Sequence, residues 1–198
     1  ALPADRQGEV SHRYVLGLYD LLERLNCTYP DLLIEGCSGG GGRFDAGMLY
    51  YTPQIWCSDN TDAINRLEIQ YGTSFGYPTS AVGSHVSAVP NHQTGRITPF
   101  HTRGVVASAG SFGYELDPAL LSDEEKAQIR EQIKSFKQDY ALSHEGDYFR
   151  LASPMGQGLD CLPNALGYDD LSAWEFVSKE QDRALVSFVM TDAKGNPL

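Results

Sequence analysis

The sequence predicts an α/β fold: a parallel sheet with helices outside it, running into the first strands of an all-β unit. One observation behind this is the alternation of short apolar runs with helical periodicity over residues 10–143. The other is a pair of β-rich runs near the C-terminal end. With 198 residues, 41% of them hydrophobic, the chain is long enough for one domain, or one domain plus part of another. It is also too apolar for a disordered chain, and it carries no internal repeat.

The elements follow in order. Val10, Tyr14, Leu18, Leu21, Leu22 and Leu25 recur at helical steps, so residues 10–25 form an amphipathic helix that ends before Pro30. Leu32-Leu33-Ile34 is a short apolar run between turn residues and is predicted to be a buried strand leading into a glycine run. Gln54-Ile55-Trp56-Cys57 is a second strand, stopping at Ser58-Asp59-Asn60. A helix from about Thr61 sets Ile64, Leu67 and Tyr71 on one face. Residues 81–86 form a weaker strand. Thr98-Pro99 then has the form of an N-cap with proline at the first helical position, opening a helix to about Ala109. Residues 112–116 alternate as a strand does. Ser122-Asp123-Glu124-Glu125 is a capping box for a helix to about Ser143, with Ile129, Ile133 and Phe136 on one face. Residues 144–171 are rich in Gly, Pro and Asp and read as a connecting segment. Trp174-Glu175-Phe176-Val177 and residues 184–190 are two β-runs resembling an opening hairpin. A leading helix, four βα units and two strands make half of an eightfold barrel. A free-standing doubly wound sheet also fits that order, but the opening on a helix fits a cut chain better.

Charge and cysteine content exclude several classes. With 26 acidic against 15 basic residues the formal charge is −11, and without a local Lys/Arg cluster the chain repels nucleic acid. No run of about 18 apolar residues is present, so no membrane span is expected, and the first residues lack the pattern of a signal peptide. Cys27, Cys37, Cys57 and Cys161 form no C-x-x-C pair, which argues for reduced thiols in a cytoplasmic protein and against structural zinc. Neither a metal nor a cofactor is implied.

Few residues stand out chemically. The four glycines from Gly39 to Gly42 follow a strand, where a backbone turns sharply or approaches a ligand closely. They match neither a Walker loop nor a dinucleotide fingerprint. Asp59 stands at the C-terminal end of a strand, the catalytic face of a βα barrel. An indole beside it at Trp56 would raise its pKa by desolvation, as a general acid requires. Ser58, Asp59, Asn60 and Thr61 are also good helix caps, while Asp62 suits the first turn of the helix. Trp56 serves either to stack on a sugar or to fill the core. His85, His92 and His101 are isolated proton carriers or structural residues, and Arg43, Arg96 and Arg103 are substrate ligands or ion-pair partners.

Longer strings carry more. Glu35-Gly36-Cys37-Ser38-Gly39-Gly40-Gly41-Gly42-Arg43-Phe44-Asp45 and Pro53-Gln54-Ile55-Trp56-Cys57-Ser58-Asp59-Asn60-Thr61-Asp62-Ala63 closely resemble microbial α-galactosidases of the melibiase type, glycoside hydrolase family thirty-six. The likeness continues through Gly83-Ser84-His85-Val86-Ser87, Asn91-His92-Gln93-Thr94-Gly95-Arg96 and Ser172-Ala173-Trp174-Glu175-Phe176-Val177, covering essentially the whole chain. The resemblance implies a retaining glycosidase: the C-terminal half of a (β/α)₈ barrel over residues 1–150, a linker at 151–171 and the start of a β-sandwich at 172–198. It assigns Asp59 as general acid/base and Cys37 and Gly40 as galactose contacts, with Trp56 beside them. The family's nucleophile lies in a Lys-Trp-Asp string, which this chain lacks. A retaining mechanism needs two carboxyls roughly 5–5.5 Å apart, so the isolated chain is expected to be inactive. The implied partners are galactose-containing oligosaccharides such as melibiose and raffinose, and the implied assembly is a homo-oligomer containing the missing N-terminal part of the enzyme. The alternatives are a transglycosylase, an α-N-acetylgalactosaminidase and a non-catalytic carbohydrate-binding or assembly fragment.

Overall fold

The computed structural model describes residues 2–155 and 170–192. Helices and short strands alternate along most of the chain, and an antiparallel sheet follows. A 3₁₀ turn at Ala4–Glu9 leads into α1 (Val10–Thr28), then β1 (Glu35–Gly36), α2 (Ala46–Tyr51), β2 (Gln54–Ile55) and α3 (Ala63–Thr73). After these come β3 (Val86–Ser87), α4 (Phe100–Ala107), β4 (Tyr114–Glu115) and α5 (Asp123–Glu145).

The short strands run parallel and in chain order. β1 pairs with β2, and β3 with β4. Between the two pairs, Ile55 bridges in parallel to Val82, the Gly83 amide donates to the Ile55 carbonyl at 2.7 Å, and the Ser111 amide donates to the Val82 carbonyl at 2.9 Å. Ile55 and Val86 are wholly buried along this line. Two buried arginines fasten helices to it. Arg66 of α3 donates to the Gly83 carbonyl and, at 3.4 Å, to the Ser58 carbonyl. Arg103 of α4 reaches the Ser87 carbonyl and, at 3.0 Å, that of Thr98.

The last unit is a three-stranded antiparallel sheet of β5 (Asp147–Ala152), β6 (Leu171–Val177) and β7 (Ala184–Met190), in that order. Its inner face closes the main core: Trp174, Phe176 and Val189 meet Ala63 and Leu67 of α3, Val106 of α4 and Leu142 of α5. A second cluster joins Val86, Phe100 and Ala107 to Phe112, Tyr114 and Ile129.

Several elements differ from the sequence expectation. Leu32-Leu33-Ile34 is not a buried strand: pairing begins at Glu35, and Leu33 is 85% exposed. β1 has a partner only on its β2 side among the described residues, so nothing there covers the preceding apolar run. For a related reason α1 buries only Leu22 of its apolar stripe and leaves Val10, Tyr14 and Leu21 exposed. The connecting segment expected at 144–171 contains β5, which pairs with β6 across position 150. Gly146 and Asp147 disguised it as a turn. Arg150 was the other obstacle, because its guanidinium points inward, 4.1 Å from the Phe75 ring centroid and 2.9 Å from the Ser74 hydroxyl. The remainder of that expected linker, residues 156–169, and Cys161 with it, lies outside the described residues. The expected strand at 81–86 is a 3₁₀ turn at Thr79–Ala81 followed by the short β3. Thr98 does not cap α4, which starts after Pro99 without a side-chain cap, while the Thr98 carbonyl is taken by Arg103. The capping box at Ser122 and Glu125 is present as expected, and α5 extends to Glu145. α2, capped by Asp45 through the Met48 amide, was not foreseen.

Asp62, not residues 58–61, caps α3. Its carboxylate accepts from the Ile64 and Asn65 amides at 3.0 Å each and from the Thr94 hydroxyl at 2.7 Å, and it pairs with Arg96. Only 1% of the side chain is exposed. Burial opposes its charge, but the Thr94 hydroxyl, the two amides and Arg96 outweigh it and hold the carboxyl below its ordinary value. A pKa lowered by folding means stability that is present above the unfolded value, about 4, and lost as pH falls through the folded value. Asp62→Ala is therefore expected to cost about 2–4 kcal/mol at neutral pH. In urea unfolding, the gap from the native protein should narrow in acid, and a gap independent of pH would contradict this.

Candidate active site

The residues that follow the parallel strands converge on one open cavity of about 340 Å³. It is lined by Glu35, Cys37, Trp56, Asp59, Thr61, His92 and Glu115. Three of the four residues expected from the sequence, Cys37, Trp56 and Asp59, share this wall, and Gly40 lies directly behind Asp59.

The local fold explains how Asp59 comes to be free. Along the run 58–62, alternate side chains take up the backbone amides: the Ser58 hydroxyl accepts from the Asn60 amide at 3.1 Å, and Asn60 Oδ1 accepts from the Asp62 amide at 3.0 Å. Asp62 then caps the helix. Asp59 lies between these acceptors, exposed, and is not used as a cap. Its carbonyl accepts from the Gln93 amide side chain at 3.0 Å, and Gln93 Oε1 accepts from the Thr61 amide at 3.3 Å. Asn91, buried, donates to Thr61 Oγ1 at 2.9 Å and holds the 91–94 turn through its Oδ1. One loop thus braces the whole segment that carries Asp59.

From the other side the segment is braced by the glycine run. Gly39, Gly40 and Gly41 all have positive φ, at 57°, 71° and 95°. A β-carbon on Gly40 would lie 2.9 Å from the Asp59 amide nitrogen and 3.5 Å from Asp59 Oδ2, and one on Gly41 would lie 2.7 Å from the Cys57 carbonyl. The run is therefore a close-approach loop that lays one backbone against another.

Trp56 meets Asp59 through a hydrogen bond: its indole N–H donates to Asp59 Oδ1 at 3.0 Å. The expectation of an apolar ring face beside the carboxyl is replaced by this polar contact. One face of the indole is covered by the His85 ring, stacked at 4.4 Å between centroids and 16° between planes. His85 Nε2 lies 2.9 Å from Glu115 Oε2, without the alignment of a hydrogen bond. Burial, helped by the charge on Arg66, pulls the His85 pKa down to about 4, so the ring is neutral at physiological pH. Glu35 accepts from the Gln54 amide side chain at 2.8 Å.

Glu35, Glu115 and Gln93 received no role from the sequence. The usable signal was position: Glu115 closes a parallel strand and Glu35 opens one, just as Asp59 follows one. Of the other candidates, His92 lines the cavity and His85 covers Trp56, while the rest are dispersed. His101 lies on a separate, larger groove of about 630 Å³ between α4, α5 and β7. Arg43 donates to the Tyr14 hydroxyl, Arg96 pairs with Asp62, and Arg103 holds backbone carbonyls. No cluster of metal-ligating side chains is found among the described residues, and none of their helices is long and apolar enough to cross a membrane.

The melibiase family profile matches residues 1–146, and the chain belongs to that family. It is 66% identical over 189 residues to the bifunctional alpha-galactosidase/sucrose kinase AgaSK of Mediterraneibacter gnavus, across 96% of this chain and 19% of that protein. To alpha-galactosidase Mel36A of Lactobacillus acidophilus it is 53% identical over 197 residues, across 99% of this chain and 25% of that protein. A variant of alpha-galactosidase AgaA from Geobacillus stearothermophilus, crystallised with raffinose, is 48% identical and matches with a TM-score of 0.90 over 100% of this chain and 26% of that one. The chain thus spans no more than about a quarter of the length of these relatives.

The glycine loop is directly testable. Alanine at Gly39 or Gly40 meets the same left-handed backbone penalty, about 1–2 kcal/mol, but only at Gly40 does the new carbon strike the Asp59 backbone. Thermal unfolding should show Gly40→Ala to be the more damaging by at least about 1 kcal/mol. Equal losses would mean that the close approach carries no weight.

Proposed function

We propose that this chain supplies the acid/base half of a retaining α-galactosidase site that releases terminal α-linked galactose from melibiose- or raffinose-type sugars. The observation that carries this reading is Asp59 itself: a carboxylate on the cavity wall, not used as a helix cap, braced from both sides and open on one oxygen. Oδ1 is taken by the Trp56 indole. Oδ2 lies on the Gly40 side, where a β-carbon would come within 3.5 Å of it, so glycine there keeps that oxygen uncrowded.

As a general acid, Asp59 gives its proton to the departing glycosidic oxygen while the anomeric carbon passes to a nucleophilic carboxylate. The resulting carboxylate then takes a proton from water, whose oxygen attacks the anomeric carbon, breaks the bond to the nucleophile and releases galactose with its configuration retained. Cys37 and Gly40 contact the galactose, and Trp56 offers its uncovered face. The nucleophile belongs to polypeptide beyond these 198 residues. In this reading the parallel units are the C-terminal half of a (β/α)₈ barrel, β5–β7 begin a β-sandwich, and the complete enzyme is a cytoplasmic homo-oligomer. The relatives support the substrate class through their names and through the raffinose and stachyose in the AgaA complexes.

In the complete enzyme, Asp59→Asn should lower raffinose turnover by about 10²–10⁴-fold. Undiminished turnover would reject the role. The 198-residue chain alone is expected to release no galactose from raffinose in a coupled assay. Measurable turnover would instead make Glu35 or Glu115, which share the cavity, the second carboxylate.

A further inference from the structure

His85 takes no part in the chemistry described so far, yet its surroundings are unusual. Only 5% of its side chain is exposed, and neither ring nitrogen has a hydrogen-bond partner among the described residues. Buried polar groups are ordinarily paired, so an unpaired buried imidazole calls for another reason to be there. The contacts supply one. The ring lies flat on Trp56, 4.4 Å from its centroid, with its Nε2 edge 2.9 Å from the Glu115 carboxylate. Trp56 in turn donates its indole N–H to Asp59 Oδ1 at 3.0 Å.

The stack matters because of how an indole moves. Rotation of the Trp56 side chain swings its N–H through an arc, and the hydrogen bond to Asp59 survives only over part of that arc. A flat ring on one face removes the freedom to swing toward that side. The Gly83 amide is bonded to the Ile55 carbonyl and the Val86 amide to the Gly113 carbonyl, so the backbone is anchored on both sides of His85.

We propose that His85 is a positioning residue: its ring face sets the plane of Trp56, and Trp56 thereby aims the Asp59 carboxyl at the departing sugar oxygen. This role rests on Asp59 being the acid/base. The neutral state of the ring fits it, since a neutral plate adds no charge beside the proton donor. The Glu115 carboxylate lies against the edge of the plate, 2.9 Å from Nε2.

The test compares His85→Leu, which fills the space without a flat ring, with His85→Phe, which restores the face, both in the complete enzyme. Two substrates are used: raffinose, whose leaving group needs a proton, and a dinitrophenyl α-galactoside, whose leaving group departs without one. His85→Leu should lower kcat for raffinose by about 10- to 100-fold, with KM within a few-fold and the burst of dinitrophenol preserved. His85→Phe should recover raffinose turnover to within about fivefold. Loss of the dinitrophenol burst along with raffinose turnover, a Phe variant as poor as the Leu variant, or full raffinose turnover in His85→Leu would each overturn the role. Should the Leu variant fail to fold, Trp56→Phe keeps a ring on His85 and deletes the donor. It should give the same split between substrates, and loss of the dinitrophenol burst would count against the link. Asp59→Asn, run in parallel, separates this role from the one beneath it. If that variant keeps its raffinose turnover, the acid/base assignment falls. If it is inactive while His85→Leu is fully active, only the role of His85 falls.

Discussion

Two backbones approach each other at the site more closely than any side chain permits, and the rest of the arrangement depends on that contact. Gly40 and Gly41 rest on the segment from Cys57 to Asp59 with no room for a β-carbon at either glycine. The approach fixes where the Asp59 amide sits. The side chain is then aimed by Trp56 in front and its carbonyl is held by Gln93 from the following loop. A carboxylate on an otherwise unsupported loop would sample many orientations. This one is held by three segments, each anchored to the parallel ladder, which is the kind of preorganisation that proton transfer to a leaving group requires.

The ladder is short in every strand, two residues at a time, and so leans on side chains for its integrity. Arg66 and Arg103 are buried, and each donates to two backbone carbonyls along the ladder and its loops. Asp62 does the same for the start of α3 while recruiting Thr94 and Arg96 from the loop that carries Gln93. The polar network beneath the site is therefore structural, and Asp59 is set apart from it by being exposed and unburdened on one oxygen. The antiparallel sheet contributes from a distance, by closing the core against α3, α4 and α5 through Trp174, Phe176 and Val189.

How much of this could be read from the residues varied with the kind of signal. α3, α5, β6 and β7 follow hydrophobic periodicity, and the capping box at Ser122 announces the start of α5. Asp59, Cys37, Gly40 and Trp56 came from one contiguous pair of strings, so their convergence needed only that the two strings lie on neighbouring strands. Glu35, Glu115, Gln93 and the stack of His85 on Trp56 are brought in from separate segments, and no local pattern encodes that meeting. β5 is hidden in the sequence because Arg150, on the same side as Tyr148 and Ala152, reads as polar but lies over Phe75. Leu32 and Leu33 misled in the opposite direction. An apolar run reads as buried only if something covers it, and among the described residues nothing does.

The central claim is that the Asp59 carboxyl stands on the face of the sugar from which the leaving group departs and water arrives. Azide rescue tests it most directly. In the complete enzyme carrying Asp59→Ala, with a dinitrophenyl α-galactoside as substrate, added azide should enter the space left by the carboxylate, accelerate turnover and yield α-galactosyl azide. Turnover unaffected by azide, or a β-galactosyl azide product, would put Asp59 outside the acid/base role and contradict the account.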